Sequence, residues 1–361
     1  MKRQLRALAA ALATMACLCG PALGAVTFNP FVTSADLAGA LGNNATIGFA
    51  YAGDKFVGSV YFGTNNNQLY QTNLTGGSVA FFGNPIPGAF GEIYVSSSLG
   101  LGGFGSRDVF AGPQGLGSVY HFSNDGTTDP GSLFASGLTG GVRGIAFDPF
   151  GAYGGDMIVT TTAGFVYRIN SAGVATFLAS VGEDAEGLSF APADFGPVAA
   201  GTLVVASEGS GSLRAITPAG AISLIATVPS AEMVSFVPMN LGVSGNPLEG
   251  FYAASYPVNI VKADASDFAA YLGDIVVTGE TTHSLTDVHW NGSAFVTSVI
   301  GTLPNQPEDG IFVTASILNP GCERTNTCGQ VPEPGSVALI AAALLGLCLV
   351  RRRIGAGPQR G

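Results

Sequence analysis

Acidic residues recur at one position of a repeated sequence pattern. Each copy has a polar residue, then apolar residues ending in an aromatic, then a turn. The copies are "VRGIAFDP" from 142, "AEGLSFAP" from 185, "AEMVSFVP" from 231, "TDVHWNG" from 286 and, more loosely, "GEIYVSS" from 91. We expect equivalent positions at Thr46, Glu92, Arg143, Glu186, Glu232 and Asp287. Most of these positions therefore carry a carboxylate, and one carries an arginine.

Carboxylates that lie close together repel one another unless a cation or a basic group shares the site. Ca²⁺ accepts several oxygen ligands in flexible geometry, which such a group can supply. The sequence therefore predicts a Ca²⁺ site formed by Glu92, Glu186, Glu232 and Asp287. The alternative is that these side chains are only solvated, as polar residues at the mouth of a wet channel often are.

Motifs for other kinds of chemistry are missing from the sequence. The three histidines, His121, His283 and His289, are scattered, which does not favour a zinc triad. There is no G-x-S-x-G elbow, no H-E-x-x-H motif and no glycine loop for phosphate. We therefore assign no catalytic residue.

A second repeat indicates the elements that would position these side chains. Short strand-like runs align on Leu69, Val119, Val166, Leu213 and Ile260, with spacings of 50, 47, 47 and 47 residues. A period in the high forties with several short strands is typical of β-propeller blades. We predict an all-β propeller of six blades, with seven as the alternative count and a β-sandwich as the alternative fold.

Two further expectations follow from a propeller fold. The acidic pattern should begin the innermost strand of each blade, so that its polar residues line one end of a central channel. Residues 26–32, "VTFNPFV", should close the ring, because an open ring would expose strand edges.

The segment Glu186-Gly187-Leu188 resembles the opening strand of gluconolactonase-type and NHL-like propellers. The resemblance implies that Glu186 can ligate a metal ion. The asparagine and aspartate ligands that those lactonases supply from other blades have no clear counterparts in this sequence.

The N-terminal residues have the layout of a secretory signal peptide. A basic start precedes an apolar run over residues 7–18 and small residues at 22–25. We predict that residues 1–25 are a signal peptide and that the protein is exported. A lipid anchor at Cys17 or Cys19 is the alternative.

A short apolar run beside a basic cluster lies near the end of the chain. Residues 337–350 carry no charge. As a helix they would span about 21 Å, short of the roughly 30 Å hydrocarbon core. The cluster Arg351, Arg352 and Arg353 marks a cytoplasmic side. We predict a marginal single transmembrane helix in the inner membrane, with residues 354–361 as a cytoplasmic tail.

Residues 331–353 resemble the PEP-CTERM sorting signal. Pro332, Glu333 and Pro334 form the motif, and the apolar helix and the arginine cluster follow in the order of that family. Proteins of the family belong to Gram-negative bacteria that make exopolysaccharide. The resemblance implies that an exosortase, a membrane enzyme, processes the tail, so that the protein is anchored transiently and then reaches the cell surface or extracellular matrix.

The segment between body and motif is a polar linker over residues 319–330. Cys322 and Cys328 lie there, in an oxidising compartment, which favours a local disulfide over two free thiols. The propeller body should therefore comprise residues 26–318.

The charge of the exported part restricts its partners. All 24 acidic residues but only seven of the 14 basic residues lie between the predicted signal peptide and the arginine cluster at 351–353, which leaves a net charge of about −17 there. Such a surface disfavours nucleic acid and suits divalent cations or a hydrated matrix. We expect a non-enzymatic binding scaffold associated with exopolysaccharide; the alternative is a secreted Ca²⁺-dependent hydrolase of lactonase type.

Overall fold

The computed structural model describes residues 25–318. The predicted signal-peptide segment up to residue 24, the Cys322–Cys328 disulfide, the sorting motif and the transmembrane helix at 337–350 lie outside the described residues.

The described residues form six four-stranded antiparallel sheets, which are the six blades of a β-propeller. Blades 1 to 3 contain, from inner to outer strand, β2 (Thr46–Tyr51), β3 (Phe56–Val60), β4 (Leu69–Thr72), β5 (Ala80–Phe82); β6 (Ile93–Leu99), β7 (Ser106–Pro113), β8 (Ser118–Phe122), β9 (Ser132–Ser136); and β10 (Val142–Phe147), β11 (Met157–Thr161), β12 (Phe165–Ile169), β13 (Ala175–Ser180). Blades 4 to 6 contain β14 (Leu188–Phe190), β15 (Leu203–Ser207), β16 (Ser212–Ile216), β17 (Ile222–Thr227); β18 (Ala231–Phe236), β21 (Ile275–Gly279), β22 (Ser284–Trp290), β23 (Phe295–Thr302); and β24 (Gln306–Val313), β19 (Gly250–Tyr256), β20 (Asn259–Asp264), β1 (Asn29–Val32). Short helices are α1 (Ser34–Leu41), α2 (Ala315–Leu318) and a 3₁₀ turn, Ala265–Phe268.

Burial explains why these segments form strands. The second strands β3, β11, β15 and β21 are buried at every residue, because neighbouring blades cover both of their faces. Continuous apolar runs are typical of strands buried on both sides. In contrast, the outer strand β17 is mostly exposed, without a regular alternation of buried and exposed residues. The core therefore consists of apolar layers between the blades.

The five positions of the 47-residue period all lie on the third strand of a blade. They are Leu69 in β4, Val119 in β8, Val166 in β12, Leu213 in β16 and Ile260 in β20. The period therefore marks real blades, and the count of six is confirmed.

Blades 5 and 6 do not follow chain order. In sequence, the hairpin β19–β20 is inserted between β18 and β21, which are neighbouring strands of blade 5. In space it forms the two middle strands of blade 6. The inner strand of blade 6 is β24, which follows the last strand of blade 5 in the sequence and pairs with β19. The pattern copy "TDVHWNG" is consequently part of β22, the third strand of blade 5, and the expectation that it forms an inner strand is wrong.

The N-terminal segment closes the ring, as expected from its sequence. Strand β1 pairs antiparallel with β20, with Asn29 opposite Lys262 and Val32 opposite Ile260. The N–H of Val26 also donates to the carbonyl of Ile300 in blade 5 at 2.8 Å. The first strand thus joins the last two blades.

Within residues 25–318, no helix has the length and apolar character needed to cross a membrane.

Candidate functional site

The six inner strands enclose a central channel of about 800 Å³. Arg143, Glu232 and Glu308 line it near the end where the inner strands begin, which we call the mouth. Arg107 and Met239 line it near the end where the inner strands finish. The volume lies within the range of small-molecule sites, about 300–1,000 Å³.

Arg143 at the start of β10 is the single basic residue among the mouth carboxylates in the part of the chain that the structure describes. Its Nη1 contacts Glu92 Oε2, its Nη2 contacts Glu186 Oε1, and its Nε lies 3.5 Å from Asp184 Oδ2. Burial opposes its charge, but Tyr94, Glu232 and Glu92 raise its pKa above the usual value. Arg143 therefore stays charged and forms ion pairs with Glu92, Asp184 and Glu186.

Glu186 and Glu232 carry oxygens that this arginine leaves unsatisfied. Their side chains are 1% and 2% exposed. Among the described residues, neither Glu186 Oε2 nor Glu232 Oε2 has a hydrogen-bond partner. Glu208 brings a third carboxylate, and one oxygen from each of the three lies within 4.8 Å of the others.

Two more carboxylates complete the mouth. Glu280 follows β21 as Glu208 follows β15, so equivalent hairpin turns bring them in from neighbouring blades. Gln306 Nε2 donates to Glu280 Oε1 at 2.5 Å and to Glu308 Oε1 at 2.7 Å. The amide thus ties the last blade to this cluster.

Crowding and burial keep protons on several of these groups. Burial, with the negative charge of Glu232, raises the pKa of Glu308 to about 10. A hydrogen bond with Glu208, with burial, raises the pKa of Glu280 to about 7. Burial also raises the pKa of Glu232 well above its usual range. Without a further cation, the mouth therefore holds protons at neutral pH.

The structure brings together three of the four residues predicted to bind the metal. Glu92, Glu186 and Glu232 all lie at the mouth and all interact with Arg143. Asp287 does not join them, because it lies on the third strand β22. Its charged neighbours are different: burial and the charge of Asp274 raise the pKa of Asp287 to about 6. The predicted set is therefore split.

Glu308 takes the place on the sixth inner strand that was assigned to Asp287. A signal for it exists in the sequence, since the mouth residue of four blades is followed four positions later by phenylalanine. These pairs are Arg143–Phe147, Glu186–Phe190, Glu232–Phe236 and Glu308–Phe312. Asp287 has no such phenylalanine.

The cluster has the chemistry of a divalent-cation site. Glu186, Glu208 and Glu232 offer one carboxylate oxygen each within 4.8 Å of the others, and both Glu186 and Glu232 have an oxygen without a hydrogen-bond partner among the described residues. Hard oxygen ligands of this kind suit Ca²⁺. The residues that could hold the ion are therefore Glu186 and Glu232 of the predicted set, together with Glu208. Of the other two predicted ligands, Glu92 pairs with Arg143 and Asp287 lies on β22.

His121 and His289 do not contribute to the mouth. His121 lies between Asp108 and Asp129 on blade 2, at 3.0 and 2.7 Å. His289 pairs with Asp274 on blade 5. Both are third-strand residues away from the inner strands.

Comparison with known protein families identifies a sorting signal at the C-terminal end of the chain. Residues 330–353 match the model of the PEP-CTERM protein-sorting motif. The motif implies export, membrane passage during sorting and processing by an exosortase. No match to a curated protein is found.

Solved propellers resemble the body. A gluconolactonase from Xanthomonas campestris is 16% identical with a TM-score of 0.47, over 80% of this chain and 89% of that one. The PQQ-bound aldose sugar dehydrogenase from Streptomyces coelicolor is 13% identical with a TM-score of 0.48, over 78% and 86%. A virginiamycin B lyase from Staphylococcus aureus is 11% identical with a TM-score of 0.45, over 76% and 88%. At these values the likeness says nothing of activity.

Proposed function

We propose that this chain is an exported, non-enzymatic binding protein that holds Ca²⁺ at the channel mouth and uses it to bind exopolysaccharide. The observation that carries the proposal is the pair Glu186 and Glu232. Each is buried, and each has a carboxylate oxygen without a hydrogen-bond partner among the described residues. Leaving such a group unsatisfied is costly, so a bound cation is the simplest way to complete it.

The charge balance at the mouth supports the same conclusion. Within residues 25–318, Arg143 is the one basic group that faces the carboxylate cluster of the mouth, which comprises Asp184, Glu92, Glu186, Glu208, Glu232, Glu280 and Glu308. Protons alone can neutralise the excess, as the raised pKa values indicate. A divalent cation would displace those protons and keep the carboxylates ionised.

The same ion explains how a negatively charged mouth could bind a sugar polymer. Ca²⁺ takes six to eight oxygen ligands, more than the three protein carboxylates supply. The remaining positions are open to hydroxyl or carboxylate oxygens of a saccharide that enters the channel. Binding would therefore depend on Ca²⁺ rather than on direct contacts to Glu186 or Glu232.

The sorting tail supplies the location of this activity. We propose that the helix at 337–350 holds the precursor in the inner membrane, with Arg351, Arg352 and Arg353 on the cytoplasmic side. An exosortase would then act near Pro332-Glu333-Pro334 and release the propeller to the cell surface or matrix. Exopolysaccharide is the abundant ligand there.

One observation favours a second candidate, a Ca²⁺-dependent hydrolase of lactonase type. Glu280 lies beside Glu208, and their hydrogen bond, with burial, raises the pKa of Glu280 to about 7 in the metal-free protein. A carboxylate next to the cation ligands is placed to act as a general base. With Ca²⁺ at the site to polarise a lactone carbonyl, Glu280 could take the proton of the attacking water; the ring C–O bond would then break and the proton would pass to the leaving alkoxide oxygen. A lactone-hydrolysis assay, with Glu280→Gln as the variant, separates the two candidates: measurable hydrolysis lost in that variant favours the enzyme.

Calorimetric titration of Ca²⁺ tests the proposed site. We expect saturable binding, and at a hundredfold excess over Kd about 2.7 kcal/mol of added stability. Glu232→Gln should weaken binding at least about tenfold, because it removes a charged ligand. Glu249→Gln is the matched control: Glu249 is equally buried and also has an unpartnered oxygen, but it lies outside the mouth. Wild-type protein that binds no Ca²⁺ would refute the proposal.

The polysaccharide part needs its own measurement. Purified exopolysaccharide of the host should retain the protein in Ca²⁺ and release it in chelator. If Ca²⁺ binds but retention is unchanged by chelator, the ion is only structural.

A further inference from the structure

Arg107 differs from every other basic residue in the described part of the chain. Residues 25–318 contain six lysines and arginines, and five of them lie within ion-pair distance of a carboxylate: Lys55, Arg143, Arg168, Arg214 and Lys262. Arg107 has no such partner, although the same residues include 22 aspartates and glutamates. Among residues 25–318, Arg107 is therefore the one lysine or arginine without a counter-ion.

This arginine is also buried. Arg107 is 9% exposed, and among residues 25–318 its Nη1 and Nη2 have no hydrogen-bond partner. The guanidinium carbon lies 5.2 Å from the centroid of the Tyr51 ring, which is a cation–π contact. Such a contact compensates only part of the cost of removing the charge from water. The buried charge thus lacks an anion.

The local backbone holds Arg107 firmly in this place. Its φ is +63°, in the left-handed region that favours glycine. Asn124 Nδ2 donates to the carbonyls of Arg107 and Ala52 at 3.0 and 2.7 Å and so joins blades 1 and 2 behind it. The backbone of Arg107 is consequently held by a side chain of its own blade that also reaches blade 1.

The side chain lines the channel far from the carboxylate mouth. It begins β7, beside the end of β6, and Tyr51 ends β2. Leu101, Phe150 and Met239 line the same end of the channel. The channel therefore has an acidic mouth at one end and an unpaired cation among apolar groups at the other.

We propose that Arg107 binds the carboxylate group of a small organic acid that occupies this end of the channel. The two terminal nitrogens can donate in parallel to two oxygens of a carboxylate once side-chain rotation turns them to the cavity. A single uncompensated positive charge matches a monoanion better than a phosphate dianion. The apolar neighbours suit the carbon skeleton of the ligand. This site does not require the cation site at the mouth.

Titration calorimetry of the full chain tests this site in metal-free Tris chloride, so that the mouth carries no Ca²⁺. Glucuronate and benzoate are the carboxylate probes, glucose and benzamide their neutral counterparts, and inorganic phosphate the competing anion. We expect saturable binding of at least one carboxylate, no binding of its neutral counterpart, and weaker binding of phosphate. Failure of both carboxylates, equal binding of the neutral molecules or preference for phosphate would overturn the proposal.

Variants locate the binding. Arg107→Met should weaken carboxylate binding at least about tenfold, because it removes a charge-assisted pair of hydrogen bonds. It should also raise the melting temperature of the ligand-free protein, since it removes a buried charge without a partner. Arg168→Met is the control; it breaks the pair that Arg168, on the third strand β12, makes with Asp156, and it should lower the melting temperature without changing binding.

Arg107→Gln provides a second variant of intermediate polarity, in case the methionine variant does not fold. Either variant binding the carboxylate as tightly as wild type would overturn the assignment. A folded Arg107→Met protein that melts below wild type would identify Arg107 as a structural group and would also overturn it.

Discussion

Glu308 is buried at the channel mouth without an ion pair in the described part of the chain. Gln306 donates to one of its oxygens, and burial with the charge of Glu232 raises its pKa to about 10. An unfolded glutamate has a pKa of about 4.3. The folded protein therefore binds a proton at Glu308 that the unfolded chain releases at neutral pH.

This linkage predicts that the metal-free protein loses stability as pH rises. Where the folded state binds more protons than the unfolded state, the free energy of unfolding falls with increasing pH. For Glu308 that window runs from about 4.3 to about 10, and for Glu280 from about 4.3 to about 7. Chemical denaturation at pH 5 and pH 8 without metal should show the lower stability at pH 8.

Two additions identify the groups responsible. Glu308→Gln should stabilise the metal-free protein at pH 8 and have little effect at pH 3, where the glutamate is almost fully protonated in both the folded and the unfolded state. Ca²⁺ should flatten the pH dependence, because it replaces protons at the mouth. Equal stability of the metal-free protein at pH 5 and pH 8 would contradict the linkage.

The sequence identified much of this cluster but not its full membership. Glu92, Glu186, Glu232 and Arg143 were predicted to converge from a shared pattern, and they do. The pattern misassigned Asp287, because inner and third strands are both buried by neighbouring blades. Both kinds of strand can therefore show a polar residue followed by apolar residues and an aromatic. Glu208 and Glu280 could not be predicted, since they lie in hairpin turns that no repeated motif marks.

At the scale of elements, β1 joins the ring through backbone pairing with β20 and through the aromatic side chain of Phe31. The Phe31 ring lies 4.8, 5.1 and 6.3 Å from the rings of Tyr252, Phe56 and Phe49. These contacts connect the outer strand of blade 6 to the core beside blade 1. They close the propeller without a covalent link.

We expect Phe31→Ala to lower the free energy of unfolding by about 2–3 kcal/mol, less than a fully buried phenylalanine because Phe31 is partly exposed. Phe81→Ala on the exposed face of β5 is the control and should change stability by less than about 0.5 kcal/mol. Equilibrium denaturation measures both. If the two variants are equally stable, β1 does not carry the closure.

The elements also show how far repeats alone can predict a fold. The six positions of the acidic pattern gave the number of blades, although one of them, Asp287, lies on a third strand. The third-strand period indicated the blade fold, because each blade repeats the same buried strand. It could not reveal that β19–β20 belongs to blade 6, since the pairing partner β24 lies some fifty residues further along the chain. Periodicity reports the number of similar strands, whereas pairing across that distance depends on tertiary contacts.

For the whole molecule, the sorting tail predicts a separation between export and final location. Glu333→Ala should leave export intact and block processing, so that an uncleaved precursor accumulates in the inner membrane. Glu323→Ala in the linker is the matched control and should be processed normally. Immunoblotting of membrane and surface fractions with a propeller antibody measures both; normal surface delivery of the Glu333 variant would show that the motif is not read.

The proposed Ca²⁺ site lies at the mouth of the propeller, with Glu186, Glu208 and Glu232 as ligands. Crystals of residues 25–318 grown with Ca²⁺ and measured for anomalous scattering test it directly. We predict one ion at the mouth, about 2.3–2.6 Å from an oxygen of each of the three glutamates. The Ca²⁺ site would be refuted by an ion bound elsewhere. It would also be refuted by a mouth without an ion at saturating Ca²⁺, where Arg143 alone balances the carboxylates.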